Sequence, residues 1–256
     1  MFGTVIIDSY TQSDTESLAL AIDDICCPCD HYGWASAGIY CFWNYDTHEV
    51  LYIGLASDLH IRFKQHNGLL SMKDGCKYNQ IKEYFNFYNK LGYTIFVQSP
   101  LAQPLVNRNK PMYQKIANEI NSNVNDMIST QGRDDIKCVE GILIEAYNQY
   151  YGKLPIWNKI GGCLAGQKSV SPNNINIVKS FANPQEYKIN CIVSRSTIRE
   201  LSFNPTYENF LHGIRQLVLM FGMDYKDAIN FMGNFVSLDI LEEMEEKGYF
   251  RKKLIV

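Results

Sequence analysis

The first 54 residues contain no lysine and no arginine, yet they carry eight acids. The chain also lacks any apolar run near the roughly 18 residues that a membrane-crossing helix requires. Its opening, MFGTVIIDSYTQSD, has neither a basic n-region nor a long apolar h-region. No signal peptide is therefore read, and a cytoplasmic protein without membrane association is expected, its eight cysteines reduced and mostly buried. No internal repeat and no low-complexity tract occur. The one dense cluster of ligand-type residues is 26-CCPCDH, with Cys26, Cys27, Cys29 and His31. It resembles half a zinc site, but no matching CxxC lies elsewhere, so a helix-end cysteine cluster is preferred over zinc.

What is present is an ordinary globular composition, 46% apolar and 20% charged, in 256 residues, enough for a substantial core. The net charge of −3 argues against a protein that coats nucleic acid without specificity. The charge is uneven, however. Residues 55–110 hold eight Lys/Arg and three acids, a local balance compatible with a phosphate-facing patch or with a solvated helix face.

Periodicity divides the chain as follows. Ser13 and Glu16 have capping-box spacing ahead of a helix over about 14–26. GIYCFW (38–43) and EVLYIG (49–54), joined by NYDTH, predict a β-hairpin. Ser57 or Asp58 can cap a short helix that stops at Gly68. A helix over 77–92 and a third strand at 93–98 follow, then a loop with three prolines, a helix over 112–127, a break at TQGRDD and a helix over 136–152. Beyond 167 the composition turns to Ser, Asn and Pro, and the tail from 206 reads as two or three helices broken near Gly222 and Gly233. The expected class is α+β: a small, mostly antiparallel three-stranded sheet flanked by helices. A helical N-terminal extension (1–35), a core (36–166) with an insertion at about 101–137, and a helical C-terminal lobe (167–256) make up the chain.

Gly38-Ile39-Tyr40 and Tyr52-Ile53-Gly54 on neighbouring strands resemble the two tripeptides that name the GIY-YIG nuclease family. Arg62 lies ten residues after Tyr52 in a helix, and His66 stands four further on, where the family carries His or Tyr. A distal segment, 142-ILIEAYNQYYGKLPIWNK, is similar to the family's apolar-apolar-Glu helix that ends at a Pro and an Asn, which maps Glu145 and Asn158 onto the metal-binding glutamate and the late asparagine. The resemblance spans roughly 36–162. It implies a GIY-YIG-like core, hydrolysis of DNA phosphodiester bonds, one Mg²⁺ or Mn²⁺ on Glu145, and a catalytic set of Tyr40, Tyr52, Arg62, His66, Glu145 and Asn158. Restriction or phage defence is one setting; structure-specific nicking in repair or recombination, and a nucleic-acid-binding module with a decayed site, are the alternatives.

The residue chemistry agrees with that implication. Arg62 offers a permanent, planar fork for a phosphate. His66, one helical turn on, can accept or relay a proton near neutral pH. One carboxylate suffices for Mg²⁺. Glu140, on the same helix, competes with Glu145 for that role, and which tyrosine faces water is open. Two departures from the family stand out. Leu55 follows YIG where relatives often carry Lys or Ser, so a second phosphate-binding group is missing unless Ser57 supplies it. The insertion adds Asn107, Arg108, Asn109 and Lys110, which can touch DNA or form a plain polar loop. Residues 206–256 hold six Lys/Arg and eight acids, a surface that repels phosphate; any apolar surplus among Leu217, Leu219, Met220, Ile229, Phe231, Met232 and Leu241 suits self-association or a protein partner. The five polar groups other than Asn158 are expected to line one shallow cleft, with the acidic N-terminus away from it.

Overall fold

Short runs of β-branched and aromatic residues form the centre of the molecule, which is α+β. The structure is a computed structural model that describes residues 3–26, 34–98, 102–103, 106–124, 131–184, 192–235 and 239–256. Four strands pair antiparallel: β1 (Thr4–Tyr10), β2 (Gly38–Asn44), β3 (Val50–Ala56) and β4 (Leu91–Val97), in the order β1-β4-β2-β3. The expected sheet had three strands. The fourth, TVIIDSY, lies in the segment read as a helical extension, and it pairs with β4 along its whole length from Thr4–Val97 to Tyr10–Leu91. It is buried on both faces, so its sequence is a continuous run with no alternation to flag it.

Both faces of the sheet are covered. Ile39, Cys41, Trp43 and Ile53 point to one face, where the helix Gln131–Tyr151 packs through Ile136, Val139, Leu143, Ile144 and Tyr147. Tyr40, Phe42 and Tyr93 point to the other, against α1 (Thr15–Cys26) and α2 (Leu59–His66). Helix α2 begins where expected: Asp58 is its N-cap and accepts from the Ile61 amide at 3.0 Å. The next helix, α3 (Tyr78–Tyr84), is shorter than periodicity suggested. Then come α4 (Lys110–Glu119) and α5 (Gln131–Tyr151), the second beginning inside the stretch read as a break.

Packing divides the chain further along than the composition shift at 167. Residues Ile177, Val178, Phe181, Ile192 and Val193 belong to the core under α5, and Ile198 and Leu201 to the core under α1. A separate cluster forms from Phe210, Leu211, Ile214, Ala228, Ile240, Met244 and Tyr249, on the helices Thr206–Phe221, Tyr225–Phe235 and Asp239–Glu246. The first of these ends at Gly222 in the left-handed conformation, as its glycine suggested, whereas Gly233 lies inside the second. Among the described residues no helix is long and apolar enough to cross a membrane.

Candidate functional site

The hairpin register sets the site. Tyr40 stands opposite Gly54 and Phe42 opposite Tyr52, which puts both phenols on the α2 face. The two tyrosine rings lie 5.7 Å apart. Their hydroxyls meet above Gly54: a Cβ built there would sit 2.8 Å from each phenol oxygen and 2.6 Å from Cε1 of Tyr52. The last residue of YIG is therefore a glycine because the phenols occupy the space a side chain would need.

Helix α2 delivers Arg62 and His66 to the same phenols. His66 is fully buried. Its Nδ1 accepts the Lys77 backbone N–H at 2.8 Å, so in the neutral ring the proton sits on Nε2, which donates to the Tyr40 hydroxyl at 2.7 Å. Burial, reinforced by Arg62 and Lys77, pulls the His66 pKa down to about 2. This corrects the expectation of a proton relay near neutral pH. The imidazole has both nitrogens engaged and stays neutral; it is a fixed donor. Arg62 Nε also donates to the Tyr40 hydroxyl, at 3.3 Å, its terminal nitrogens donate to Gln65 Oε1 and the Asp74 carbonyl at 3.3 and 3.5 Å, and the guanidinium also hydrogen-bonds Tyr52. No acid among the described residues pairs with it.

With two donors on its oxygen, Tyr40 turns its own proton to Tyr52, in a hydrogen bond that holds the Tyr52 pKa down. Burial raises both phenols, Tyr40 the further because it is wholly enclosed. Tyr52 is the partly buried member and the end of the chain Lys77 amide, His66, Tyr40, Tyr52. The two tyrosines thus differ in access: Tyr40 is internal and Tyr52 faces outward.

The acidic partner comes from α5. Glu140 lies on the helix face that carries Ile136, Leu143, Ile144 and Tyr147 toward the sheet; Glu145, five residues on, is rotated well away from that face. Glu140 accepts the Leu55 amide, and its charge bears on the Tyr52 phenol. Burial pushes its carboxyl up to about 7. Glu145 instead accepts from Asn148 and Gln149 of its own helix, at 3.2 and 3.0 Å. The structure therefore brings together Tyr40, Tyr52, Arg62 and His66 on the α2 face, whereas α5 covers the opposite face of the sheet, so Glu145 does not join the expected single cleft; Glu140 reaches the β3 edge at Leu55, from where its charge acts on Tyr52.

Asn158 has a backbone role. Its amide accepts from Ile53 N at 2.9 Å and donates to Ile53 O at 2.8 Å. Strand β3 is an edge strand, and its outward groups at 51, 53 and 55 meet Trp157 N, Asn158 and Glu140 in turn. That row closes the edge beside Tyr52 and prevents it from pairing with another strand.

Of the insertion's loop residues, Arg108 and Asn109 are engaged within the protein, while Lys110 is exposed. Arg108 forks onto Asp58 and Asp23, and Asn109 is buried, donating to Ser36 Oγ and Gln103 O. The cations at the site are Arg62 and two that sequence reasoning passed over. Lys77 has its ammonium 4.6 Å from the Tyr52 ring centroid, and Lys159 is close enough to depress the Lys77 pKa. The excess of basic residues in 55–110 was the only sequence signal for Lys77. Of the cysteine motif, Cys27, Cys29 and His31 lie outside the described residues; Cys26 is buried and donates to the Ala35 carbonyl.

No group of three or more His, Cys, Asp or Glu able to hold a metal occurs among the described residues. One half-buried carboxylate beside a phenol nevertheless fits Mg²⁺, which keeps most of its ligands as water and phosphate oxygens. Among protein-family models, curated proteins and solved structures, none matches this chain.

Proposed function

We propose that this protein is a metal-dependent endonuclease of GIY-YIG type that hydrolyses DNA phosphodiester bonds. The observation that carries the reading is the convergence of Tyr40, Tyr52, Arg62 and His66 into one hydrogen-bonded unit with a single acid, Glu140, at its open end. A structural core has no need of an arginine without an acidic partner, or of a half-buried carboxyl pushed up to about 7, beside a phenol.

The roles follow from the geometry. Arg62 binds the scissile phosphate through its terminal nitrogens, which have only weak partners in the free protein. Tyr52 orients the attacking water, because it alone of the two phenols faces outward. Tyr40 and His66 do not meet substrate; they fix the Tyr52 oxygen and keep it an acceptor from within. Burial raises the Tyr52 pKa while the Tyr40 hydrogen bond and Arg62 oppose it, so Tyr52 becomes a phenolate able to accept a proton only as further positive charge lowers its pKa. Glu140 would hold Mg²⁺ or Mn²⁺ in place of Glu145, and the ion would neutralise charge on the phosphoryl oxygens and assist the leaving oxygen. Asn158 holds β3, and with it Tyr52, in place.

The test is incubation with supercoiled plasmid, branched DNA and RNA, in Mg²⁺ or Mn²⁺ and in EDTA, with sequencing of the ends. Nicking or cleavage of DNA that EDTA abolishes without loss of fold is expected. Robust cutting in metal-free buffer would remove the single-metal mechanism, and no cutting of any substrate would favour a binding module.

A further inference from the structure

We infer that Lys77 is a second phosphate-binding cation of this site, seated against Tyr52 from the loop before α3. The inference rests on the nuclease reading for the identity of the anion, but its geometry stands apart from it. Lys77 is buried, and its ammonium lies 4.6 Å from the centroid of the Tyr52 ring. Its backbone is pinned by the amide bond to His66 Nδ1, the same contact that fixes the imidazole on Tyr40. The residue is thus tied to both ends of the phenol pair. No carboxylate among the described residues lies within ion-pair distance of it, whereas Arg62 and Lys159 are close enough to act on its charge.

Lys77 is buried as a residue while its ammonium is not among the sealed, unpartnered atoms, and a cation held so close to the interior is normally compensated by an anion. Here the ring face compensates in part, since a cation over an aromatic face is attracted by the ring quadrupole. Two further cations nearby work against it, and burial and those charges lower its pKa. Arg62 and Lys77 lie against the phenol pair, with Lys159 acting on Lys77, and none of the three forms an ion pair among the described residues; Glu140 acts on Tyr52 from the β3 edge without pairing with them, so a phosphate group of a nucleic-acid backbone is the anion assigned to Arg62 and Lys77. Lys77 would touch the same phosphate as Arg62 or the next one along the strand.

The test compares wild-type protein with Lys77→Met and Lys77→Arg. Binding to a labelled DNA duplex is measured in EDTA as a function of salt, and cleavage is measured separately in Mg²⁺. In Lys77→Met the slope of log affinity against log salt should fall by about one phosphate's worth, roughly 0.9, and kcat/KM should fall at least tenfold. Lys77→Arg should restore the slope. Thermal melting shows whether the Met variant folds; if it does not, the Arg variant against wild type decides, and an unchanged salt slope with a tenfold loss of affinity would overturn the inference. An unchanged slope and unchanged cleavage in a folded Lys77→Met variant would overturn it too, leaving the nuclease reading intact. A slope change without cleavage of any substrate by wild type would keep Lys77 as a phosphate contact and remove hydrolysis.

Discussion

A phenol is a poor base in isolation, so the value of the Tyr40–Tyr52 pair lies in what surrounds each oxygen. Gly54→Ala tests the arrangement with one carbon. The added methyl would collide with both hydroxyls, so cleavage should be lost while stability falls by about 1–3 kcal/mol, read by thermal melting. Glu140 sets the pH response. A cation needs the ionised carboxyl, so the apparent Mn²⁺ affinity should fall about tenfold per pH unit below the folded pKa near 7 and level off above it. The stability sign runs opposite to that of a salt-bridged acid. The folded pKa is raised, so the folded state holds more protons between the ordinary glutamate range and about 7, and stability is lost as pH rises through that window. Glu140→Gln should therefore melt higher than wild type at pH 8, by about 1 kcal/mol in stability, the sign of a group kept for function. If metal affinity followed a pKa near 6.5 and lost that dependence in a His66 variant, the neutral, enclosed His66 described above would be wrong.

At the scale of elements, the edge of β3 is the part most open to attack. Asn158→Ala removes both bonds to Ile53 and exposes the edge amide at the strand that carries Tyr52. It should cost about 1–2 kcal/mol and reduce cleavage by more than that loss of folded protein explains, when activity is measured well below the melting point. Much at this scale was legible in the sequence: the hairpin and α2 lie where β-type runs and Asp58 put them, and α1 lies where periodicity put it, although the capping box is formed by Thr11 and Asp14 rather than by Ser13 and Glu16. The misses have physical causes. TVIIDSY was passed over because a strand buried on both faces shows no alternation. Helix α5 starts earlier than TQGRDD suggested, since a Gly within the first turn did not prevent it. The preference for Glu145 over Glu140 rests on its spacing to Pro155 and Asn158 and on Leu143 and Ile144 placing it at the edge of an apolar face. The longer stripe of Ile136, Val139, Leu143, Ile144 and Tyr147 centres on the side of the helix that carries Glu140 and turns Glu145 away. That stripe was present in the sequence and could have been drawn.

Across the whole molecule, charge is sorted in three dimensions in a way that the chain order hides. The acids of the lysine-free first segment meet cations from far along the chain: Asp8 and Asp14 pair with Arg199, Asp23 with Arg108, and Glu49 with Lys153. Those pairings satisfy early acids away from the phenols, while Arg62, Lys77 and Lys159 form no ion pair among the described residues. The Asp8–Arg199 contact is the one that matters for stability, because Asp8 is buried and its pKa is raised by that burial even with the guanidinium present. Arg199→Ala should destabilise by about 3 kcal/mol at neutral pH by leaving a buried charge unpaired, and by less at low pH, where Asp8 is protonated; chemical denaturation at two pH values reads both. The same sorting makes one carboxylate decisive at the open end of the phenol pair, and the most direct measurement is the rate of supercoiled-plasmid cleavage in Mg²⁺ by wild type, Glu140→Gln and Glu145→Gln. The account predicts a loss of about a hundredfold or more in Glu140→Gln and a rate within a few-fold of wild type in Glu145→Gln. Full activity in Glu140→Gln together with an inactive, folded Glu145→Gln would contradict it.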